Sequence, residues 1–163
     1  MTSCPHCQKT RTLILHGYLW GYDLKGANKK TVRGRRVFCS NRNRKTGCGR
    51  TFSLLKAGRI KRLIIQTRDL WLFLKNMVDG INVFQAFRSL AIGLSTTSFY
   101  RLYRRVYLNQ PKIRTLLLKR HPAPQNIPHE NPLIKTIAHI KLVFRTHADA
   151  IAAFQSTFQT SFL

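Results

Sequence analysis

Carboxylates are nearly missing from this chain: five Asp and Glu stand against twenty-nine Lys and Arg in 163 residues, a formal net charge of +24. A surface solvated in the ordinary way mixes both signs, and an excess this large repels itself unless an anion neutralises it. Nucleic acid is the first partner this implies, and an anionic membrane surface the second. No apolar run approaches the roughly 18 residues of a transmembrane helix; the longest, Leu70 to Leu74, reads as helix core. The N-terminus goes straight into a Cys-x-x-Cys pair, without the basic start and apolar stretch of a signal peptide. These absences lead to the expectation of a cytoplasmic, nucleoid-associated protein that does not engage a membrane, with reduced thiols. No Ser/His/Asp or Cys/His arrangement stands out as a catalytic constellation.

Cysteine is absent after residue 48, and all four lie within the first 48 residues: Cys4, Cys7, Cys39 and Cys48, spaced C-x2-C-x31-C-x8-C. Four soft donors gathered at one end fit a single tetrahedral zinc better than four unrelated free thiols. Four cysteines complete the shell and leave no position for water, so the zinc is expected to be structural. His6 and His16 are substitute ligands that a full thiol set does not need. The eight residues between Cys39 and Cys48 exceed the usual gap of two to four, so 40–47 must loop out.

Charge also divides the chain. Residues 1–120 hold twenty-six Lys and Arg against Asp23, Asp69 and Asp79, or +23, whereas residues 121–163 carry +1. Four thiolates and one zinc would lower the total only to +22. The anion-binding part is therefore expected within the first 120 residues.

Residues 1–55 read as a small β-rich module, with Leu13–Leu15 and Arg36–Phe38 as short strands. Between them the basic stretch Lys25 to Arg36 reads as an exposed loop or hairpin. Helical spacing over 60–78 (Ile60, Leu63, Ile64, Thr67, Trp71, Leu74, Val78) predicts a helix ended by Gly80. A second helix fits 82–91, burying Val83, Phe84, Phe87, Leu90 and Ala91. Ser95 is an N-cap for a third over 96–108, with Phe99, Leu102, Tyr103 and Val106 inward. Pro111 opens a further short helix through Arg120, and residues 121–132 hold four of the six prolines, a linker. Asn131-Pro132 starts the next helix, with Ile134, Ile137 and Ala138 inward. Thr146 followed by Asp149 resembles a capping box for the last one. There Ile151, Phe154, Phe158 and Phe162 form an apolar stripe, either folded back as core or exposed for a second copy or partner protein.

Helix, tight turn at Gly93-Leu94-Ser95, helix is a helix-turn-helix layout, and its second helix turns Thr96, Thr97, Tyr100, Arg101, Arg104 and Arg105 outward. Hydroxyls at a helix N-terminus suit phosphates, and arginine forks suit guanine edges in the major groove of double-stranded DNA. Lys29, Lys30, Arg33, Arg35, Arg36, Arg42, Arg44, Lys45 and Arg50 are the candidates for phosphate contact from the N-terminal module. An RNA-binding, ribosome-associated protein is the alternative, with Tyr18, Trp20 and Tyr22 stacking bases. Burial tendencies favour core for those three aromatics.

The segments CPHC, VFCS, CGRTFS at 48–53, the basic helix, and GINVFQAFRSLAIGLSTTSFYR at 80–101 together resemble the N-terminal half of insertion-sequence (DDE-type) transposases. The resemblance spans residues 4–108. It implies a zinc ribbon with Cys4, Cys7, Cys39 and Cys48 as ligands, then a helix-turn-helix that binds a transposon's terminal inverted repeat through residues around Thr96 to Arg105. Those transposases cut DNA with three carboxylates holding two magnesium ions on a ribonuclease-H-like domain. Five scattered carboxylates and residues 133–163 supply neither, so no enzyme is expected. The fold class that follows is a small β-rich zinc ribbon (1–55), an all-α helix-turn-helix module (58–120), a Pro-rich linker (121–132) and a helical C-terminal tail (133–163). The expected role is non-catalytic, sequence-specific double-stranded DNA binding in a transposition system, or in a regulator derived from one. A truncated transposase is the further alternative, and the partners are DNA with a separate transposase subunit or a second copy of the chain.

Overall fold

The computed structural model describes residues 2–23, 26–90, 92–125, 127 and 129–163, with backbone alone at 23 and 26–29. Lys25, the Lys29 side chain and Ala91 therefore lie outside the described residues. The chain forms two compact units, Met1–Lys56 and Ala57–Leu163.

Unit 1 is an antiparallel three-stranded sheet in the order β1-β2-β3, with β1 Leu13–Asp23, β2 Gly26–Cys39 and β3 Thr51–Leu55. The two strand candidates at 13–15 and 36–38 are the base of one long hairpin, since β1 runs on through Tyr18, Trp20 and Tyr22 and pairs with the basic stretch of β2. The alternate aromatics of β1 and the β-branched Thr31, Val32 and Val37 of β2 suit a pleated surface, and this local preference outweighs the charge of the stretch. Register shifts follow Leu15 and Leu19, so the strands twist away from a flat ladder. Gly34 lets β3 close in, because a Cβ there would collide with the Leu54 carbonyl.

Among the described residues unit 2 holds five helices: α1 Thr67–Val78, α2 Val83–Arg88, α3 Thr96–Leu118, α4 Pro132–Val143 and α5 Ala150–Phe158. The helix expected from residue 60 begins at Thr67. Residues 57–66 form turns instead, closed by an Arg59–Gln66 bridge and the Thr67 N–H to the Gly58 carbonyl, with Arg62 left-handed at φ 61°. Ile60 and Ile65 are still buried, so the apolar spacing there records core contact made from a loop. α2 stops at Arg88 and buries Ala86 and Phe87, while Phe84 is exposed beneath the Arg88 guanidinium.

Pro111 does not open a new helix. It sits inside α3, whose buried stripe Phe99, Leu102, Val106, Ile113 and Leu117 keeps one phase across it. Packing of α4 against α3 and the Thr136 hydroxyl donating to Gln110 Oε1 hold the continuous helix together. Asn131 caps α4, and Asp149, not Thr146, caps α5.

The core joins both ends of unit 2. Phe99 stacks on Phe87 at 4.0 Å and meets Phe73 edge-on at 4.8 Å. Phe154 is ringed by Phe144, Phe158 and Phe162. Full burial of such a side chain contributes about 1.5–3 kcal/mol. The apolar stripe of the C-terminal segment is thus internal: Ile151, Phe154 and Phe162 are buried, α4 and α5 pack on α1, and the segment belongs to unit 2 and is no free tail.

Candidate metal centre and basic surfaces

Two turns of unit 1 bring the four thiols together. The first is Cys4–Gln8, closed by the Gln8 N–H to the Cys4 carbonyl at 2.9 Å, with Gln8 left-handed at φ 61°. The second starts where β2 ends at Cys39. The Gly47 N–H bonds the Ser40 carbonyl and the Gly49 N–H bonds the Cys39 carbonyl, both at 2.9 Å. These bonds shut the base of the 40–47 excursion, so Cys48 returns beside Cys39 as it would in a short knuckle. Gly47 is required at that base: a Cβ would collide with the Ser40 carbonyl and come within 2.8 Å of Cys39 Sγ.

All four Sγ atoms lie within 4.8 Å of one another. Cys4 and Cys48 are 3.8 Å apart, Cys7 and Cys39 3.7 Å. Ligands about 2.3 Å from a tetrahedral zinc stand about 3.8 Å apart, whereas a disulfide closes to about 2.05 Å. The four thiols are free and can hold one metal ion.

The cluster is primed unevenly. The Thr12 hydroxyl, 3.2 Å from Cys39 Sγ, outweighs burial and, with the Cys48 N–H at 3.3 Å, brings the Cys39 thiol down to about 6. At Cys48 the Arg50 N–H favours the thiolate, yet burial and the three neighbouring thiols push it up to about 11. Four thiolates this close repel one another, and a dication reverses that balance. Donor type, spacing and N–H···S bonds such as His6 N–H to Cys4 Sγ at 3.4 Å all fit such an ion. His6 lies against Phe52 and His16 against Phe38, in ring contacts outside the sulfur cluster. Thr12 escaped the sequence reading, because a lone threonine five residues past a cysteine carries no signature.

The basic candidates of unit 1 fall into different settings. Arg42, Arg44 and Lys45 are exposed on the 40–47 excursion, with Asn43 and Arg44 left-handed at its tip. Lys30, Arg35, Arg36 and Arg50 are exposed on or beside the sheet. Arg33 is half-buried, its aliphatic part lying over Gly21. Tyr18, Trp20 and Tyr22, expected as core, are exposed on β1.

In unit 2 the head of α3 is capped by Ser95, whose Oγ accepts the Ser98 N–H at 3.2 Å. Thr96, Thr97, Tyr100, Arg101 and Arg104 are exposed there and Arg105 is half-buried, while Phe99, Leu102 and Val106 fix the opposite face in the core. α3 contains no Asp or Glu. No helix among the described residues is long and apolar enough to cross a membrane.

Protein-family models, curated proteins and solved structures all return no match to the chain.

Proposed function

We propose that this chain is a zinc-stabilised, non-catalytic protein that recognises specific sequences in double-stranded DNA, as the recognition component of a transposition system or a regulator derived from one. The observation that carries it is the head of α3: hydroxyls and arginines on the exposed face of a helix whose other face is locked in the core, with no carboxylate along its length. α2, the turn at Gly93-Leu94-Ser95 and α3 act as the helix-turn-helix. Thr96 and Thr97, at the positive end of the helix dipole, hold a phosphate, and Arg101 and Arg104 read guanine edges. Lys30, Arg35, Arg36, Arg42, Arg44, Lys45 and Arg50 supply phosphate contacts from unit 1.

Zinc, held by Cys4, Cys7, Cys39 and Cys48, makes unit 1 a zinc ribbon and supplies structure, since four thiolates leave no site for a reacting water. A separate transposase subunit or a second copy completes the assembly in the nucleoid.

The test is duplex affinity across a salt series. Each phosphate neutralised adds about 0.9 to the slope of log K against log salt, so a steep slope is expected and one near zero rejects duplex binding. Selection from random duplexes should enrich one motif; a flat outcome removes the claim of sequence specificity.

A further inference from the structure

The exposed rings of the unit 1 sheet have no part in duplex recognition, although the cations beside them, Lys30 and Arg35, do. Tyr18, Trp20 and Tyr22 alternate along β1 and are 56%, 60% and 46% exposed. Tyr18 and Trp20 sit with ring centroids 6.3 Å apart, on one side of the sheet. Two cations share that side, because the register pairs Tyr18 with Arg35 and Tyr22 with Lys30. The Arg35 guanidinium and the Lys30 ammonium each lie 5.8 Å from the ring centroid of that partner. Beside Tyr18 and Arg35 the surface dips into a concavity of about 430 Å³ that also reaches Val32, Leu54 and Lys56.

Three large rings in water are unfavourable unless something flat and apolar covers them. The cations among them choose the occupant. An apolar protein face would have to desolvate Arg35 and Lys30, in a unit with thirteen Lys and Arg against the one Asp23. Nucleic acid brings flat faces for the rings and phosphates for the cations together. A duplex keeps its base faces inside its own stack, whereas an unpaired strand offers them. Two residues along a strand advance about 6.7 Å, close to the reach of one extended nucleotide, so successive rings can take successive bases.

We infer that this face of the β1–β2 hairpin is a stacking platform for single-stranded nucleic acid, with bases on Tyr18, Trp20 and Tyr22 and phosphates on Arg35 and Lys30. The inference goes beyond the duplex reading: it adds the β1 rings and a different form of the polyanion, shares only the Lys30 and Arg35 phosphate contacts with that reading, and stands without base recognition by α3.

Trp20 makes the test direct. The only other tryptophan, Trp71, is buried in α1, so in the full zinc-loaded Trp71→Phe chain fluorescence reports Trp20. Short oligothymidylate and oligouridylate should each quench it, the tighter of the two identifying the natural strand as DNA or RNA. By anisotropy of labelled strands, Trp20→Ala and Tyr18→Ala should each weaken single-strand binding about fivefold or more, the loss of one stacked base. Trp20→Phe, which keeps a ring, should retain most of the affinity, and neither Trp20 variant should change duplex affinity. Conversely, Arg101→Ala should leave single-strand binding intact, so failure of the duplex reading does not mimic failure here. The inference is overturned if Trp20→Ala leaves both single-strand affinities unchanged. It is equally overturned if light scattering shows Trp20→Ala splitting a dimer while oligonucleotide binding stays as it was, since the face then belongs to a second copy.

Discussion

The Thr67 hydroxyl donates to Asp149 Oδ2 at 2.6 Å, across 82 residues of chain, while Asp149 Oδ1 accepts the Ala152 N–H at 2.9 Å. One carboxylate therefore caps α5 and ties it to the first residue of α1. Asp149→Ala removes the cap and strands the buried Thr67 hydroxyl, so unit 2 should lose about 2–3 kcal/mol. Urea unfolding of wild type, Asp149→Ala, Thr67→Val and the double variant measures it, with a coupling of about 1 kcal/mol expected between the two.

Metal analysis should find one zinc per chain, and chelation should unfold unit 1 while the far-ultraviolet helix signal of unit 2 persists. Cys39→Ser should abolish tight binding. Gly47→Ala should weaken metal affinity about 10- to 100-fold, as loss of support around a ligand does. A Gly47→Ala chain that held zinc normally would show that the loop base can yield.

His139 is buried against the His121 carbonyl, its Nε2 3.1 Å from that oxygen. Burial keeps its pKa below the ordinary 6.5, with the His121 and Arg114 charges acting the same way against the raising effect of the carbonyl. The unfolded chain thus takes up this proton first. The contribution of His139 is complete above pH of about 6.5 and is lost as pH falls below it, down to the lower folded value. Chemical denaturation from neutral to mildly acidic pH should show unit 2 weakening, and His139→Gln should flatten that dependence relative to wild type.

Two classes of arginine should separate in DNA binding. Arg101→Ala and Arg104→Ala should relax sequence preference, each costing about 1–3 kcal/mol on the preferred duplex. Arg42→Ala and Arg44→Ala should weaken all duplexes alike and lower the salt slope by about 1 each. Identical behaviour of the two pairs would show that α3 does not read bases.

Pro111 should cost α3 stability, since it removes an amide donor and crowds the preceding turn. Pro111→Ala should raise the unfolding midpoint of unit 2 by an amount corresponding to about 1–3 kcal/mol; an unchanged or lower midpoint would mean that α4 packs on the helix only as proline shapes it.

How far the sequence reaches depends on whether the deciding partner is near in the chain. The thiol cluster was legible because ligand chemistry resides in residue type, and Ser95 and Asn131 because a cap bonds within its own turn. The Thr12–Cys39 contact and the Asp149–Thr67 bond were not, since each reaches something far along the chain; the burial of Ile60 was, though not that it is made from a loop. Pro111 misled because local backbone preference is weaker than the packing that carries one stripe from Phe99 to Leu117. The β1 aromatics misled for the opposite reason, because ring size implies burial and only the hairpin geometry shows them in solvent.

The closed base of the 40–47 excursion has an evolutionary consequence. The bonds that close the base run through Ser40, Gly47, Gly49 and Cys39, and none of them is made by the residues of the tip, 42–45. The tip that carries Arg42, Arg44 and Lys45 is therefore free to lengthen, shorten or change charge among descendants of this chain without dismantling the centre. Selection can retune the charge of the tip while the scaffold stays fixed, a division of labour that a short Cys-x-x-Cys turn at this position would not allow.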